Sequence, residues 1–139
     1  MLKRFQLDDC KPVCTPMIVD CKLSKEDETK DMDPKHYRSM IGSLLYVTTS
    51  RPDVKQVVGM VARFQATPKE SHVQDVKIIF RDLKGTIDLG LWYPSKNTFS
   101  LKAYSDADWA GYVDDRKSTS GGAFFLGESL VSWISKKQT

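Results

Sequence analysis

The chain has 139 residues, with 21 lysines and arginines against 18 aspartates and glutamates, and 40% of its residues are hydrophobic. This length predicts one domain or two small ones and excludes a large multidomain enzyme. No apolar run reaches the roughly 18 to 20 residues that a membrane span needs, and the charged start lacks the apolar stretch of a signal peptide. We therefore expect an intracellular protein, cytoplasmic or nuclear, with no membrane partner.

Residues 1–33 mix prolines, charged runs and short apolar patches, without the period of a helix or a strand. This pattern predicts an irregular linker. The segment contains three cysteines, Cys10, Cys14 and Cys21, at spacings that match no zinc site. An odd number of cysteines without nearby histidines predicts free thiols in a reducing compartment and argues against a disulfide framework.

Three amphipathic helices are predicted from residue 34 to residue 85. Asp33 before Pro34 is typical of a helix start, because the carboxylate accepts a backbone N–H that has no other partner. Pro52 opens the second helix, a Thr-x-x-Glu capping box over residues 67–70 opens the third, and Gly85 ends it. The expected apolar faces are Tyr37, Met40, Ile41, Leu44, Leu45 and Thr48; then Val54, Val57, Val58, Val61 and Phe64; then Val73, Val76, Ile79, Phe80 and Leu83.

After Gly85 the apolar residues recur with a period of two, which predicts strands. The pattern indicates a short strand over residues 87–91 and a second strand over 99–106. Residues 123–126 and 130–135 form a third and a fourth segment, joined by a glycine-containing turn that is typical of a hairpin. The predicted fold class is α+β, with three helices followed by an open antiparallel sheet. Such a sheet, with one apolar face uncovered, is not a finished domain.

Charge is distributed unevenly along the chain. Residues 34–97 hold 10 basic and 5 acidic side chains, whereas residues 1–33 hold 6 and 8, and residues 98–139 hold 5 and 5. A scattered basic excess is more typical of a solvated helix surface than of a nucleic-acid groove. Four aromatic residues, Trp92, Tyr93, Trp109 and Trp133, are candidate stacking platforms for nucleic acid, although strand aromatics are more often core residues.

Residues 112–115 read Tyr-Val-Asp-Asp and match the Tyr-x-Asp-Asp signature of reverse transcriptases, whose aspartates hold magnesium. That signature needs a tight hairpin between apolar strands, which presents the carboxylates at a fixed spacing. Here Gly111 precedes the match and a polar run over residues 116–121 follows it. We therefore predict a polar loop at this position, without catalytic aspartates.

Asp106 lies near the end of a predicted strand and precedes a turn of small residues. A metal-dependent nuclease can present its first ligand in this way, since the strand fixes the direction of the side chain. The alternative is an aspartate that caps the strand turn, and spacing alone favours that alternative. Asp108 falls on the same face if the strand continues, and we interpret it as structural.

The chain resembles the Pol polyprotein of copia-type LTR retrotransposons along nearly its whole length. The stretches that carry the resemblance, in order, are YRSMIGSLLY at 37–46, TSRPD at 49–53, LKGT at 83–86, YSDADWAG at 104–111, DDRKSTSG at 114–121 and SKKQ at 135–138. The resemblance implies that the family's true Tyr-x-Asp-Asp motif lies upstream of Met1. It also implies three parts: an irregular linker over 1–33, a helical reverse-transcriptase connection region over 34–97 that ends in a short strand, and an incomplete RNase H-like domain over 98–139 with its first three strands only.

In that family, Asp106 matches the first metal-binding carboxylate of RNase H. The next ligand is a glutamate on a helix that follows the SKKQ stretch, and this chain ends before it. Two-metal hydrolysis needs several acidic ligands. We therefore expect Asp106 to be vestigial as a catalytic and metal-binding residue, and the chain to bind no Mg²⁺ tightly, although the parent family uses Mg²⁺.

The implied parent activities are RNA-directed DNA synthesis and hydrolysis of RNA in RNA–DNA hybrids, with nucleic acid and the rest of Pol as partners. We expect the isolated chain to be inactive, and the sequence leaves open whether it is an enzyme. One alternative is a domesticated module that binds nucleic acid or protein. A less favoured alternative is a secreted effector-like protein, which the absence of a signal segment argues against.

Overall fold

The structure is a computed structural model that describes residues 1–17, 23–96 and 98–139. Three α-helices are followed by one antiparallel sheet of three strands, so the α+β class is confirmed. The helices are α1 (Pro34–Val47), α2 (Lys55–Val61) and α3 (Glu70–Gly85), with short 3₁₀ turns at Leu2–Phe5, Pro52–Val54 and Ala62–Phe64. The strands are β1 (Leu101–Ala107), β2 (Thr119–Leu126) and β3 (Ser129–Lys137).

The beginning of α1 forms as the sequence predicts. Asp33 accepts hydrogen bonds from the backbone N–H groups of Lys35 (2.9 Å) and His36 (3.2 Å), which have no partner inside the helix. Tyr37 and three further members of the predicted apolar face of α1 are buried. Leu45 is the exception, because its side chain is 43% exposed.

The cap of the third helix lies two residues after the predicted position, so the predicted capping box is wrong. Helix α3 is capped at Lys69, whose N–H donates to Nδ1 of His72 at 3.1 Å. Thr67 cannot cap the helix, because the chain just before α3 is extended and pairs with residues 30–32. The Met32 N–H donates to the Pro68 carbonyl at 2.9 Å, and Asp31 and Lys69 form an antiparallel bridge. The tertiary pairing therefore sets where the helix begins.

The end of α3 is built around a close approach of the N-terminal segment. The Val13 N–H donates to the Arg81 carbonyl at 3.3 Å, and Arg81 Nε donates to the Lys11 carbonyl at 2.7 Å. A Cβ atom on Gly85 would lie 2.9 Å from the Val13 carbonyl oxygen. Glycine is therefore needed at 85 for this contact, in addition to its predicted role as the helix end.

The predicted short strand at residues 87–91 is wrong. The segment after Thr86 forms a turn, closed by a bond from the Leu89 N–H to the Thr86 carbonyl at 3.1 Å, and then continues without strand structure. Ile87 and Leu89 are exposed. An alternating pattern becomes a strand only when another strand pairs with it, and no described residue pairs with this segment.

The sheet has the order β1-β2-β3, with both pairs antiparallel. The predicted hairpin is confirmed, and both of its strands are longer than predicted. Its turn consists of Gly127 and Glu128, and Gly127 has a positive φ of 62°, a conformation that glycine adopts without strain. One register shift between Phe124 and Phe125 breaks the β2–β3 ladder.

Three of the contacts that join the sheet and the loop after β1 to the helical part involve Trp133, Arg63 and Tyr112. The Trp133 indole N–H on β3 donates to the Thr48 carbonyl just after α1, at 3.0 Å. Arg63 donates to the Thr119 hydroxyl at the start of β2, also at 3.0 Å. Tyr112, between β1 and β2, is buried beside Phe64 with 6.4 Å between the ring centroids, and it belongs to the same core cluster as the helices.

Candidate functional site

Asp106 lies near the end of β1, where it pairs with Gly121 of β2. Its carboxylate Oδ1 accepts the N–H of Ala107 at 2.8 Å. Together with Tyr104 it lines a cleft of about 380 Å³ between the sheet and the start of α2. The structure therefore places the predicted first metal ligand at the end of a strand and beside a cleft.

The opposite wall of this cleft comes from Pro52, Lys55 and Gln56 at the start of α2. Trp133 of β3 also lines the cleft, and its indole N–H is bonded to the Thr48 carbonyl. The sequence analysis did not identify this wall. The local pattern carries no signal for it, because the wall exists only once the sheet packs against α2.

Asp108 closes the loop between β1 and β2. Its Oδ1 accepts the N–H of Thr119, and its own N–H donates to the Thr119 carbonyl at 3.1 Å. A Cβ atom on Gly111 would clash with the Asp108 carboxylate. Asp108 therefore holds the loop through backbone contacts, which agrees with its structural interpretation. Among the described residues, no group of three or more acidic, histidine or cysteine side chains is placed to hold a metal ion.

The Tyr-Val-Asp-Asp stretch lies in a turn, as predicted. The Tyr112 hydroxyl donates to Asp114 at 2.7 Å, and Asp114 also accepts from the Ser24 hydroxyl at 2.6 Å. Asp115 accepts from the Lys137 ammonium at 2.6 Å. Each carboxylate therefore has a protein partner, and the stretch joins the first segment, the loop and β3.

Electrostatics in this turn follow from those contacts. Burial, reinforced by the neighbouring Asp114 carboxylate, raises the pKa of Tyr112 to about 12. For Asp114, burial acts to raise the pKa, but the hydrogen bonds from Ser24 and Tyr112 outweigh it and the pKa is lowered. The bond from Lys137 lowers the pKa of Asp115. Both carboxyl groups are therefore held in the charged form that their partners need.

The ring of Tyr112 also contacts two cations. The Arg63 guanidinium lies 4.8 Å from the ring centroid and the Lys137 ammonium 3.8 Å from it, both within cation–π range. Several other basic side chains have internal partners as well. In residues 34–97, hydrogen bonds to other groups of the protein are also made by Arg38, Arg51, Arg81 and Lys84, and Lys69 forms an ion pair with Asp31. Much of the basic excess in residues 34–97 therefore stabilises the fold.

His72 is a core residue that the sequence analysis did not select. It stacks on Phe64 with 3.9 Å between ring centroids, and its Nε2 bonds to the Ser24 carbonyl at 3.0 Å. Since Nδ1 accepts from Lys69, the ring is neutral with its proton on Nε2. Burial lowers the pKa of His72, which favours this neutral form. The sequence signal that could have identified His72 as a core residue is its place on the apolar face of α3, one position before Val73.

Three of the four candidate stacking aromatics lie outside the core, so the core interpretation is wrong for them. Trp92 is 82% exposed and Trp109 is 95% exposed. Tyr93 is exposed as well, and its hydroxyl donates to the Leu130 carbonyl at 2.8 Å. Trp133 is half-buried at the contact between sheet and helices. Trp92 directly follows the predicted short strand at residues 87–91, and Trp109 lies in the loop after β1.

The cysteines agree with the sequence prediction where the structure describes them. Cys10 is half-buried and Cys14 is exposed, and both are free thiols. Cys21 lies outside the described residues. None of the helices in the described part of the chain combines the length and the apolar character that crossing a membrane requires.

Comparison with known proteins finds relatives that match almost the whole chain. The retrovirus-related Pol polyprotein from transposon RE1 of Arabidopsis thaliana is 46% identical over 138 residues, which cover 99% of this chain and 9% of the relative. The corresponding polyprotein from transposon RE2 of the same plant is 43% identical, again over 99% of this chain, and the match covers 10% of the relative. The chain thus spans about a tenth of the length of these two relatives.

A shorter relative is also similar. The secreted RxLR effector protein 161 of Plasmopara viticola is 43% identical over 103 residues, which cover 73% of this chain and 72% of the relative. No family model matches the chain, and no solved structure matches it.

Proposed function

The chain belongs to the family of retrovirus-related Pol polyproteins from copia-type transposons, and we propose that it is the stretch of Pol in which the helical connection after the reverse transcriptase leads into an RNase H-like domain. Residues 34–97 supply the helical part, and residues 98–139 supply the first three strands of the RNase H-like part. The order of elements supports this proposal, because three helices precede one antiparallel sheet.

The observation that carries the proposal is the position of Asp106. Its carboxylate lies near the end of the first strand and lines a cleft about 380 Å³ in volume, which is where a nuclease would present a metal ligand to a substrate backbone. In the parent family the site would take Mg²⁺ and the substrate would be an RNA–DNA hybrid.

The described residues around Asp106 do not form a complete set of metal ligands. Asp108, the nearest carboxylate in sequence, is bonded to the N–H of Thr119. Hydrolysis at this site therefore needs ligands beyond those that the described residues of this chain supply. Its proposed role is to contribute one carboxylate to a site that needs further acidic ligands from the polyprotein.

Two assays on a labelled RNA–DNA hybrid test this proposal. With Mg²⁺ or Mn²⁺, we expect the isolated chain to cleave no more hybrid than buffer does. When the chain replaces the matching stretch of the RE1 polyprotein, we expect cleavage that Asp106→Asn reduces by two orders of magnitude or more, on the scale of about 3 kcal/mol for a group that stabilises the transition state.

Asp108→Asn is the matched control. Asparagine keeps the oxygen that accepts from Thr119, so cleavage by the chimaera should persist in this variant. Equal losses in the two variants, or none in Asp106→Asn, would refute the assignment of Asp106. Cleavage by the isolated chain that disappears in Asp106→Asn would show that the chain is itself a nuclease.

A second candidate function is binding of single-stranded nucleic acid. The exposure of Trp92 and Trp109 favours it, because stacking of one base on an aromatic ring contributes about 1 to 3 kcal/mol. We expect a gel mobility shift with a short single strand that weakens as salt increases. Trp109→Ala should weaken binding by roughly tenfold, whereas the half-buried Trp133 should not be replaced, since it holds the sheet. No shift at low salt would exclude this function.

A further inference from the structure

Residues 24–32 lie across the beginning of α3 and supply acceptors that the helix itself lacks. The Glu70 N–H donates to the Lys30 carbonyl at 2.9 Å, and the Ser71 N–H donates to the Thr29 hydroxyl at 3.3 Å. The first N–H groups of a helix have no partner inside it, so residues 24–32 cap α3 from outside. We call these residues the capping segment.

His72 joins the capping segment to α3 through both of its ring nitrogens. Nδ1 accepts the Lys69 N–H at 3.1 Å, and Nε2 bonds to the Ser24 carbonyl at 3.0 Å. Because a carbonyl can only accept, Nε2 carries the proton and Nδ1 carries none. The side chain is 1% exposed, and its ring stacks on Phe64. The arrangement therefore fits the neutral ring.

A second proton on this ring would find no acceptor in its present position. The new Nδ1–H would point at the Lys69 N–H, and two donors cannot form a hydrogen bond with each other. The ring of Phe64 covers one face of the imidazole and has no lone pair to offer. Protonation therefore forces His72 or the backbone at Lys69 to move. If the ring leaves its place, its bond to the Ser24 carbonyl is lost as well.

Three carboxylates act on the charge of His72, one from each neighbouring element: Asp27 of the capping segment, Asp75 of α3 and Asp114 of the loop between β1 and β2. Burial lowers the pKa of His72, and the bond to Ser24 and these carboxylates oppose that shift without cancelling it. Hydrogen bonds, first of all from the Thr29 hydroxyl, lower the pKa of Asp27 to about 2. Asp27 therefore stays charged in mildly acidic buffer, whereas His72 changes its charge.

Two cations next to the contacts of the ring have other partners. The Lys69 ammonium forms an ion pair with Asp31 at 2.7 Å. The Arg63 guanidinium, one position before Phe64, lies over the ring of Tyr112. Burial and the three carboxylates therefore determine the charge of His72.

The capping segment also holds the loop between β1 and β2. The Ser24 hydroxyl donates to Asp114 at 2.6 Å, and the Lys25 N–H donates to the same carboxylate at 3.2 Å. Ser24 therefore bonds to His72 through its carbonyl and to Asp114 through its hydroxyl. Movement of Ser24 away from His72 would change both contacts.

We propose that His72 is a pH-sensitive switch, in which a proton taken from solvent by Nδ1 releases the capping segment from α3 and from Asp114. Asp114 then keeps its bond from the Tyr112 hydroxyl and loses those from Ser24 and Lys25. The inference concerns contacts within the chain and does not rest on the proposed function.

The direction of the switch follows from the position of the folded pKa. The pKa of His72 in the folded chain lies below its ordinary value of 6.5. The stabilisation that the neutral ring provides is therefore complete above pH 6.5 and is lost as pH falls from there through the folded pKa. The capping segment is held at neutral pH and released in acid.

Amide hydrogen exchange of the 139-residue chain, followed by NMR from about pH 7.5 to about pH 5, tests the proposal. The reporter is the Glu70 N–H, which bonds to the Lys30 carbonyl. Its protection factor, which corrects for the intrinsic effect of pH on exchange, should fall by up to about tenfold for each pH unit below 6.5, because opening takes up one proton. The far-ultraviolet circular dichroism of the helices should persist.

The chain has two histidines, so one substitution at each separates their effects. In His72→Gln the side-chain amide can still donate to the Ser24 carbonyl but takes up no proton in this range. This variant should lose the pH dependence of the Glu70 protection factor. His36→Gln is the matched control, since His36 is exposed, and it should retain the dependence of the parent.

A protection factor at Glu70 that does not change with pH in the parent would overturn the proposal. A pH dependence that persists in His72→Gln, or that disappears in His36→Gln, would do the same. If His72→Gln does not fold, His36→Gln still has His72 as its single histidine, and NMR titration of that ring decides. Titration of the ring together with the loss of protection at Glu70 supports the switch, and titration without that loss refutes it.

Discussion

Replacing Tyr112 by alanine is expected to lower the free energy of unfolding by about 3 kcal/mol, because large aromatic side chains in cores contribute on this scale. The ring is buried beside Phe64 and contacts both Arg63 and Lys137. Its removal would leave a cavity where the loop after β1 meets the helices and would separate the two cations from their shared ring. Urea denaturation followed by far-ultraviolet circular dichroism measures the loss.

Tyr112→Phe is the matched control. It keeps the ring and removes only the hydroxyl bond to Asp114, so the expected loss is about 1 kcal/mol. An alanine variant as stable as the phenylalanine variant would show that the ring does not hold the loop to the core. The comparison therefore separates packing from hydrogen bonding at a single position.

The expected result also bears on the Tyr-Val-Asp-Asp stretch. Its aspartates have protein partners, and the partner of Asp115 is Lys137 at the end of β3. The sequence analysis correctly placed this stretch in a loop, because the residues after it are polar. It could not assign the partner of Asp115, since Lys137 is 22 residues away and reaches the loop only when β2 and β3 pair.

Elements with a local cause could be predicted from the sequence. Asp33 caps α1 through bonds to residues two and three positions ahead, and Gly127 adopts the positive φ that a two-residue hairpin turn needs. Both features depend on contacts within a few residues, so the local sequence is enough to predict them. The same is true of most of the apolar faces of the helices, which follow from the helical period, although Leu45 of α1 is exposed.

Elements that depend on distant partners could not be predicted. The start of α3 is moved by pairing between Asp31 and Lys69, and the alternating residues 87–91 pair with no strand among the residues that the structure describes. The candidate site likewise has one part that the sequence could indicate and one part that it could not. Asp106 was selected through the family resemblance, since spacing alone favoured a capping role, whereas the facing wall at Lys55 depends on how the sheet packs against α2.

Replacing Arg51 by methionine is expected to lower the free energy of unfolding by about 3 kcal/mol, because it removes four hydrogen bonds from a charged donor, each of which contributes about 1 kcal/mol. Arg51 is buried and donates two hydrogen bonds to Asp53, at 2.9 and 2.6 Å. It also donates to the carbonyl and the hydroxyl of Thr86, at 3.0 and 2.8 Å. One guanidinium therefore ties the start of α2 to the end of α3.

The matched control is Arg38→Met, which removes an arginine that makes one exposed hydrogen bond to the Gln65 carbonyl. Its expected effect lies within about 0.5 kcal/mol, as for most surface substitutions. An equal loss in both variants would show that Arg51 has no special role. Urea denaturation at neutral pH measures both.

The loss in Arg51→Met should also depend on pH, because Asp82 is buried close to Arg51. Burial and the neighbouring Asp53 charge raise the pKa of Asp82, and Arg51 opposes this rise.

Without Arg51 the pKa of Asp82 rises further, so Asp82 in the folded variant keeps its proton at pH values where the unfolded chain has released it. The contribution of Asp82 to stability is then complete below the ordinary carboxyl pKa of 3.8 and is lost as pH rises through the folded pKa. We expect the difference between Arg51→Met and the parent to be smaller in mildly acidic buffer than at neutral pH, and Asp82→Asn to abolish this dependence. A difference that stays constant across this pH range would contradict the coupling between Arg51 and Asp82.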